Sequence, residues 1–331
     1  MQRETSQNED TAVVALVKDT KTDDTINNQN NDYTNVELKT EKPTPFDVDR
    51  LEASLAEISN EFSQVQQRLL NDLLQLDNTS GKALIDAKEV LKKYFKNVSA
   101  KQCDSLYIAY YTYADLLRQY IYNDECYSQV ADNFYKTYDN FDELPKVYQP
   151  IVKEPNSHGI TLEDIGEGCA ELSFYPDYYY EIFKPYTTEA TREYLKLMAF
   201  ERANEFLFDA AVYITWEELA DRIINFEEYL DKYPNSIFAG NIREKYNSYT
   251  SLLLIGCDNT PTFDWLDEDN RKLNADVLES YHKIIETYSH RRLAETLTEY
   301  LSLPEESEML QNEEINEFIR QFNLDDSANE Y

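Results

Sequence analysis

The chain has 331 residues, 42% of them hydrophobic, which is enough to bury a core in about one to three domains. Only six glycines and ten prolines are present, which argues against short strands joined by glycine-rich turns and makes helix the default class. The formal charge is -33, from 31 basic and 64 acidic side chains, so phosphate backbones and anionic headgroups are repelled and nucleic acid and bare membrane are poor partners.

Residues 1–45 hold five basic and nine acidic side chains, so -29 of the charge belongs to the remainder and the folded part is itself acidic. The segments QNED, TDDTINNQNND and EKPTP surround one apolar run, Val13–Val17, which is too short to cross a bilayer. This composition predicts a disordered polar tether. No basic start, apolar core and cleavage site are found, so no signal peptide is read. The chain is then cytoplasmic, or an export signal was removed ahead of Met1. In the second case it suits a lipoprotein of the cell envelope, periplasmic or at the cell surface, that has lost its lipid anchor.

From Asp47 the pattern changes. Leu51, Leu55, Ile58, Phe62, Val65, Leu69, Leu73 and Leu76 step by three and four, which predicts one helix of about seven turns. DNTSG around Gly81 predicts a turn, Lys82–Phe95 a second amphipathic helix, and Ser99 with Gln102 a capping box that opens a third. A helical bundle over 46–155 and a helical domain over 156–331 follow. Between Tyr107 and Tyr148 tyrosines crowd the chain, each with a large apolar body and a hydroxyl that needs a partner. They fit a helical core with wet grooves. A second cluster, Tyr175, Tyr178, Tyr179 and Tyr180, reads either as packing or as an exposed platform for a peptide or a sugar.

EPNSHGITLEDIGEGCAELSFYP is the least helical stretch, with Gly159, Gly166 and Gly168 and a short helix capped by Thr161 and Asp164. Its Glu163, Asp164, Glu167 and His158 are candidate functional groups, although no nucleophile or partner spacing accompanies them. The four cysteines form no CxxC pair and only three histidines occur, so no metal site and no cofactor are expected; disulfide pairing is left open.

Further on, Thr215 and Glu218 form a capping box, so a helix begins after Ile214. Taking the preceding segment as helical too gives a helix hairpin in which Asp209 faces Arg222, and an ion pair between them is expected. FEEYLDKYPNSIFAGNIREKY and YHKIIETYSHRRLAETLTEYL align at an offset of 55, with seven positions alike in character from Phe226/Tyr281 to Ile242/Leu297. Two related helix pairs are expected. CDNTPTFDWLDEDNRKLN lacks the glycine and the final glutamate of a calcium-binding loop and reads as a solvated acidic connector after a helix stop at Gly256.

The pattern around Phe206, Ala210, Tyr213, Phe226 and Pro234 resembles the tetratricopeptide repeat, a helix-turn-helix unit of about 34 residues. Asp209, Arg222 and Tyr229 depart from it, as does Ser289 in place of the closing Pro of the second copy. FEEYLDKYPNS is similar to helix ends in tetratricopeptide-like envelope lipoproteins, and FDAAVYITWEELADRI and GCDNTPTFD are similar to uncharacterised secreted helical proteins of bacteria. The resemblance covers about residues 200–303 and implies an all-α architecture of antiparallel helix pairs, a bundle or α-solenoid. Three functions fit: a helical-repeat interaction module for a protein or peptide of basic character, a glycan- or peptidoglycan-binding envelope protein, and an enzyme using Glu167 and its neighbours.

Overall fold

Serine at position 63 decides where the first helix starts. Its backbone N–H donates to Gln66 Oε1 at 2.9 Å, completing a capping box that opens α1, Gln64–Leu73. The stripe from Leu51 is therefore not one uninterrupted helix. Phe62 and Ser63 stand outside α1, and residues 51–61 lie outside those described. The computed structural model describes residues 62–78, 82–121, 158–166, 169–266, 271–303 and 313–322. All fall within one unit, Pro43–Tyr331; the tether read over 1–45 and the boundary near 156 lie outside the described residues. Of the described residues 65% are helical and 10% are in strands.

α2 (Lys82–Tyr94) and α3 (Ala100–Ile121) follow as the sequence predicts, and Ser99 caps α3 by accepting from Gln102 N at 3.4 Å while its own N–H reaches Gln102 Oε1. Leu69, Leu73, Leu91, Tyr110 and Tyr113 are fully buried where these helices meet, each such side chain contributing roughly 2 kcal/mol. The tyrosine hydroxyls find partners: Tyr113 donates to Asn78 Oδ1 at 2.6 Å, and Tyr110 shares a 2.7 Å hydrogen bond with the hydroxyl of Tyr178.

The glycine-bearing stretch is a β-hairpin, β1 (Ile160–Gly166) against β2 (Cys169–Phe174), with Thr161 opposite Ser173 and a bulge between Asp164 and Gly166. The short helix capped by Thr161 and Asp164 is thereby corrected. Gly159 enters the hairpin at φ +80, and a Cβ there would lie 2.6 Å from the Tyr178 ring.

After α4 (Tyr178–Phe183) and α5 (Glu189–Ala203), residues 206–213 do not continue a helix. They form a second hairpin, β3 (Leu207–Phe208) with β4 (Ala211–Val212), turning through Asp209 and Ala210 at φ 49 and 50. Phe206, Ala210 and Tyr213 therefore do not lie on the first helix that the tetratricopeptide pattern assigns them. α6 (Trp216–Lys232) starts at the predicted box: Glu218 N donates to Thr215 Oγ1 at 3.1 Å, and Thr215 N to Glu218 Oε2 at 2.8 Å.

Arg222 does not meet Asp209. Its guanidinium pairs with Glu201 at 2.8 Å and donates to the carbonyl of Asn204 at 2.7 Å, which closes the C-terminal end of α5. Asp209 is exposed on the hairpin turn. A helix hairpin that sets Asp209 opposite Arg222 requires α5 to run on to residue 214, whereas it ends at Ala203.

α7 (Ala239–Ile255) packs on α6 and stops at Gly256, as the sequence predicts. The acidic connector then pairs into β5 (Gly256–Cys257) with β6 (Thr260–Pro261) and β7 (Phe263–Trp265) with β8 (Arg271–Leu273), burying Thr262, Phe263 and Leu273. α8 (Ala275–Thr287), α9 (Arg292–Tyr300) and α10 (Glu313–Arg320) complete the described chain.

The offset of 55 recurs in the backbone. Tyr233 N donates to Tyr229 O and Tyr288 N to Ile284 O; Ser236 N to Tyr233 O and Arg291 N to Tyr288 O; Ala239 N to Ser236 O and Ala294 N to Arg291 O. Both turns thus share one hydrogen-bond pattern. The seven aligned positions also match in burial, except that Leu230 is buried and Ile285 partly so. Each cap tyrosine reaches an acid of an earlier helix, Tyr233 to Glu189 at 2.9 Å and Tyr288 to Asp221. Lys283 faces Glu217 and Tyr288 faces Asp221, so α6 and α8 run in the same direction, each followed by its own partner helix.

Candidate functional site

α3, α4, α5 and α7 enclose a groove of about 360 Å³. Helical spacing brings its lining together. Tyr107 and Tyr111 are four apart on α3, Tyr194, Met198 and Arg202 are four apart on α5, and Asn241 and Lys245 repeat that step on α7, so each helix offers one face. α4 adds Tyr179 and Tyr180, and Ile237, 53% exposed, forms part of the rim.

The walls are rigid aromatic stacks. Tyr194 lies on Phe238 with centroids 4.1 Å apart and planes at 7°, and Tyr107 meets Tyr179, Phe183 and Phe238 edge to face. The Arg202 guanidinium sits over the Tyr179 ring, 5.4 Å from its centroid. Burial pushes the hydroxyl of Tyr194 up to about 12 and those of Tyr107 and Tyr179 well above the ordinary phenol range, with Arg202 opposing it in each case. These phenols stay protonated through neutral pH and offer O–H donors. The Tyr179 hydroxyl is buried with no hydrogen-bond partner among the described residues.

The four tyrosines singled out in the sequence do not form an exposed platform. Tyr178 and Tyr179 are each only 4% exposed; Tyr178 is spent on Phe174, 4.8 Å away, and on the hydroxyl of Tyr110. Tyr175 is half-buried and its N–H donates to Gly159 O at 2.9 Å. Tyr180 is half-buried in the groove with Lys184 5.1 Å from its ring centroid. Stacking a sugar on Tyr178 and Tyr180 together therefore finds no open pair of ring faces. Glu163 and Asp164 lie on β1 in register with Glu171 and Ala170, and Glu167 lies outside the described residues. His158 is buried, its Nδ1 accepting from Ile160 N at 3.2 Å.

Thus the structure brings Tyr179 and Tyr180 into one site with Tyr107 and Tyr111 of the tyrosine-crowded stretch, and adds Tyr194, Arg202 and Lys245, which the sequence does not single out. The signal was the repeated step of four on three separate helices. That those helices meet is a tertiary fact. A second depression, about 380 Å³ between α5 and α6, mixes acids and lysines and includes Lys232, which is paired with Glu189 at 2.9 Å.

The chain matches no protein family, no curated protein and no solved structure. Among the described residues no group of three or more His, Cys, Asp or Glu side chains is placed to hold a metal ion, and no helix is long and apolar enough to cross a membrane. Cys103 and Cys257 are free thiols.

Proposed function

We propose that this chain is a non-enzymatic interaction module of stacked helix pairs, and that the tyrosine-lined groove receives an extended segment of a protein partner. One observation carries the reading: tyrosine and apolar side chains from α3, α4, α5 and α7 converge on one groove of about 360 Å³. The upward shifts of the groove phenols also suit recognition better than proton transfer, because a general acid or base works best near the ambient pH. The turns repeated at an offset of 55 support a tetratricopeptide-like array of two units, α6/α7 and α8/α9. In the same reading residues 1–45 tether the module at an envelope surface, a placement tested by whether the coding sequence upstream of Met1 holds an export signal.

Panning the full chain against a displayed library of extended peptides tests the groove. Binders should weaken at least about tenfold against Ile108→Glu and Met198→Glu, which place a charge among the apolar lining. Binders indifferent to both variants would remove the groove from the account.

A further inference from the structure

Some of the described cations pair with a carboxylate, as Arg118 does with Asp115, Arg222 with Glu201, Arg291 with Glu228 and Arg292 with Asp231, while others, such as Lys196, Arg243 and Lys272, form no ion pair. Arg202 and Lys245 belong to the second group and differ from those three in lining the groove. Among the described residues neither forms an ion pair or a side-chain hydrogen bond, both are only partly exposed, and both line the tyrosine groove. The groove's one acid, Glu201, is already engaged by Arg222 at 2.8 Å and by the Tyr249 hydroxyl at 2.7 Å, and its side chain is 9% exposed. Both contacts fall on Oε2, and the Arg222 guanidinium already balances the charge of this carboxylate.

What remains free in the groove is therefore two cations and an amide at Asn241, all of which can donate, set among tyrosine rings. We infer that the groove binds an acidic peptide segment, a carboxylate side chain next to an aromatic or large apolar one, with the carboxylate held by Arg202 and Lys245 and the ring packed among the tyrosines. This rests on the groove reading above and reverses the partner charge that the -33 total suggests. The total still limits the ligand. A surface so acidic disfavours a run of phosphates, whereas one or two carboxylates are matched by two cations and need no wider basic field. The planar fork of the Arg202 guanidinium, 5.4 Å from the Tyr179 ring centroid, also suits two-point contact with a carboxylate.

The test uses the full chain and the binders selected against it. Aspartate or glutamate beside Phe, Tyr, Trp or Leu should be enriched in the selected peptides. A synthetic binder titrated calorimetrically should lose about tenfold in affinity to Arg202→Gln and to Lys245→Gln, and none to the exposed Arg243→Gln. Replacing the peptide's carboxylate by its amide should lower wild-type affinity to a similar degree and leave the Arg202→Gln variant nearly indifferent. Circular dichroism of each variant checks that the helices are intact. Binders that are neutral or basic, yet still lose affinity to Met198→Glu, would overturn the charge inference and leave the groove standing. Peptides insensitive to every groove variant would overturn both. Self-association of the chain abolished by Arg202→Gln would place a second copy in the groove and overturn the peptide assignment.

Discussion

Arg222 lies between two phenyl rings, 4.5 Å from the centroid of Phe206 and 5.2 Å from that of Phe200, with Glu201 and the Asn204 carbonyl at its two terminal nitrogens. Removing one partner of such a pair strands a buried charge. Arg222→Ala should lower unfolding free energy by about 3 kcal/mol in urea titration, and Lys should not restore it because one ammonium lacks the planar fork. Asp209→Asn, which removes the charge but keeps a side chain suited to positive φ, should by contrast change stability little, and this separates the observed pair from the one expected across the hairpin. The same turn carries strain: Asp209 and Ala210 both have positive φ, where a Cβ is unfavourable. Ala210→Gly should therefore raise stability by up to about 1 kcal/mol, read as a higher urea midpoint at constant slope. Residue types told less here than geometry. The arginine was recognisable as structural, but its partner depended on whether α5 continued past Ala203, and the tight turn is built from Asp-Ala, which carries no glycine to announce it.

Helix ends in this fold are held by side chains from elsewhere. Asp104 of α3 accepts from Thr188 N and its hydroxyl at 2.9 and 2.8 Å, fixing the start of α5. Glu227 of α6, 2% exposed, accepts from Arg292 N and Leu293 N at 3.1 and 3.3 Å, fixing the start of α9. Both place a carboxylate at the positive end of a helix. At the other end, the hydroxyl of Tyr281 donates to Leu253 O and that of Tyr300 to Leu254 O, satisfying the last carbonyls of α7. Glu227→Ala should thus cost about 2 kcal/mol and lower the thermal midpoint, whereas the exposed neighbour Glu228→Ala should have a small effect. Much at this scale was legible. Capping boxes at Ser99 and Thr215 and the helix stop at Gly256 follow from local chemistry. The β1–β2 hairpin was readable too, because Ile160, Thr161, Leu162 and Glu163 alternate with period two, but its glycines were read as irregularity. The carboxylate caps were not readable, since each links helices more than sixty residues apart.

Among the described residues, tyrosine shares the core with leucine. Tyr110, Tyr113, Tyr281 and Tyr300 are among the largest fully buried side chains. Burial raises the hydroxyls of Tyr178, Tyr194 and Tyr246 to about 12, and those of Tyr107, Tyr110, Tyr179 and Tyr281 well above the ordinary phenol value near 10. Between pH 10 and 12 the folded chain then holds more protons than the unfolded one, so this contribution to stability is intact below pH 10 and is lost as pH rises through the folded values. Absorbance at 295 nm should show a late group of tyrosines that ionises only with alkaline unfolding; a single titration near pH 10 with the helices intact would contradict their burial. The recurrence at an offset of 55 was visible in the pattern of apolar residues, and the identical turns give it a backbone basis. The groove was not visible as a site, because its lining comes from four separated segments and its cations run against the net charge.

Hydrogen exchange of the full chain, with and without a saturating selected peptide, tests the groove most directly. Added protection confined to the segments around residues 107–111, 176–180, 194–202 and 237–245 is the predicted result. Protection concentrated at the 207–212 hairpin or along α8 and α9, with those four segments unchanged, would contradict it.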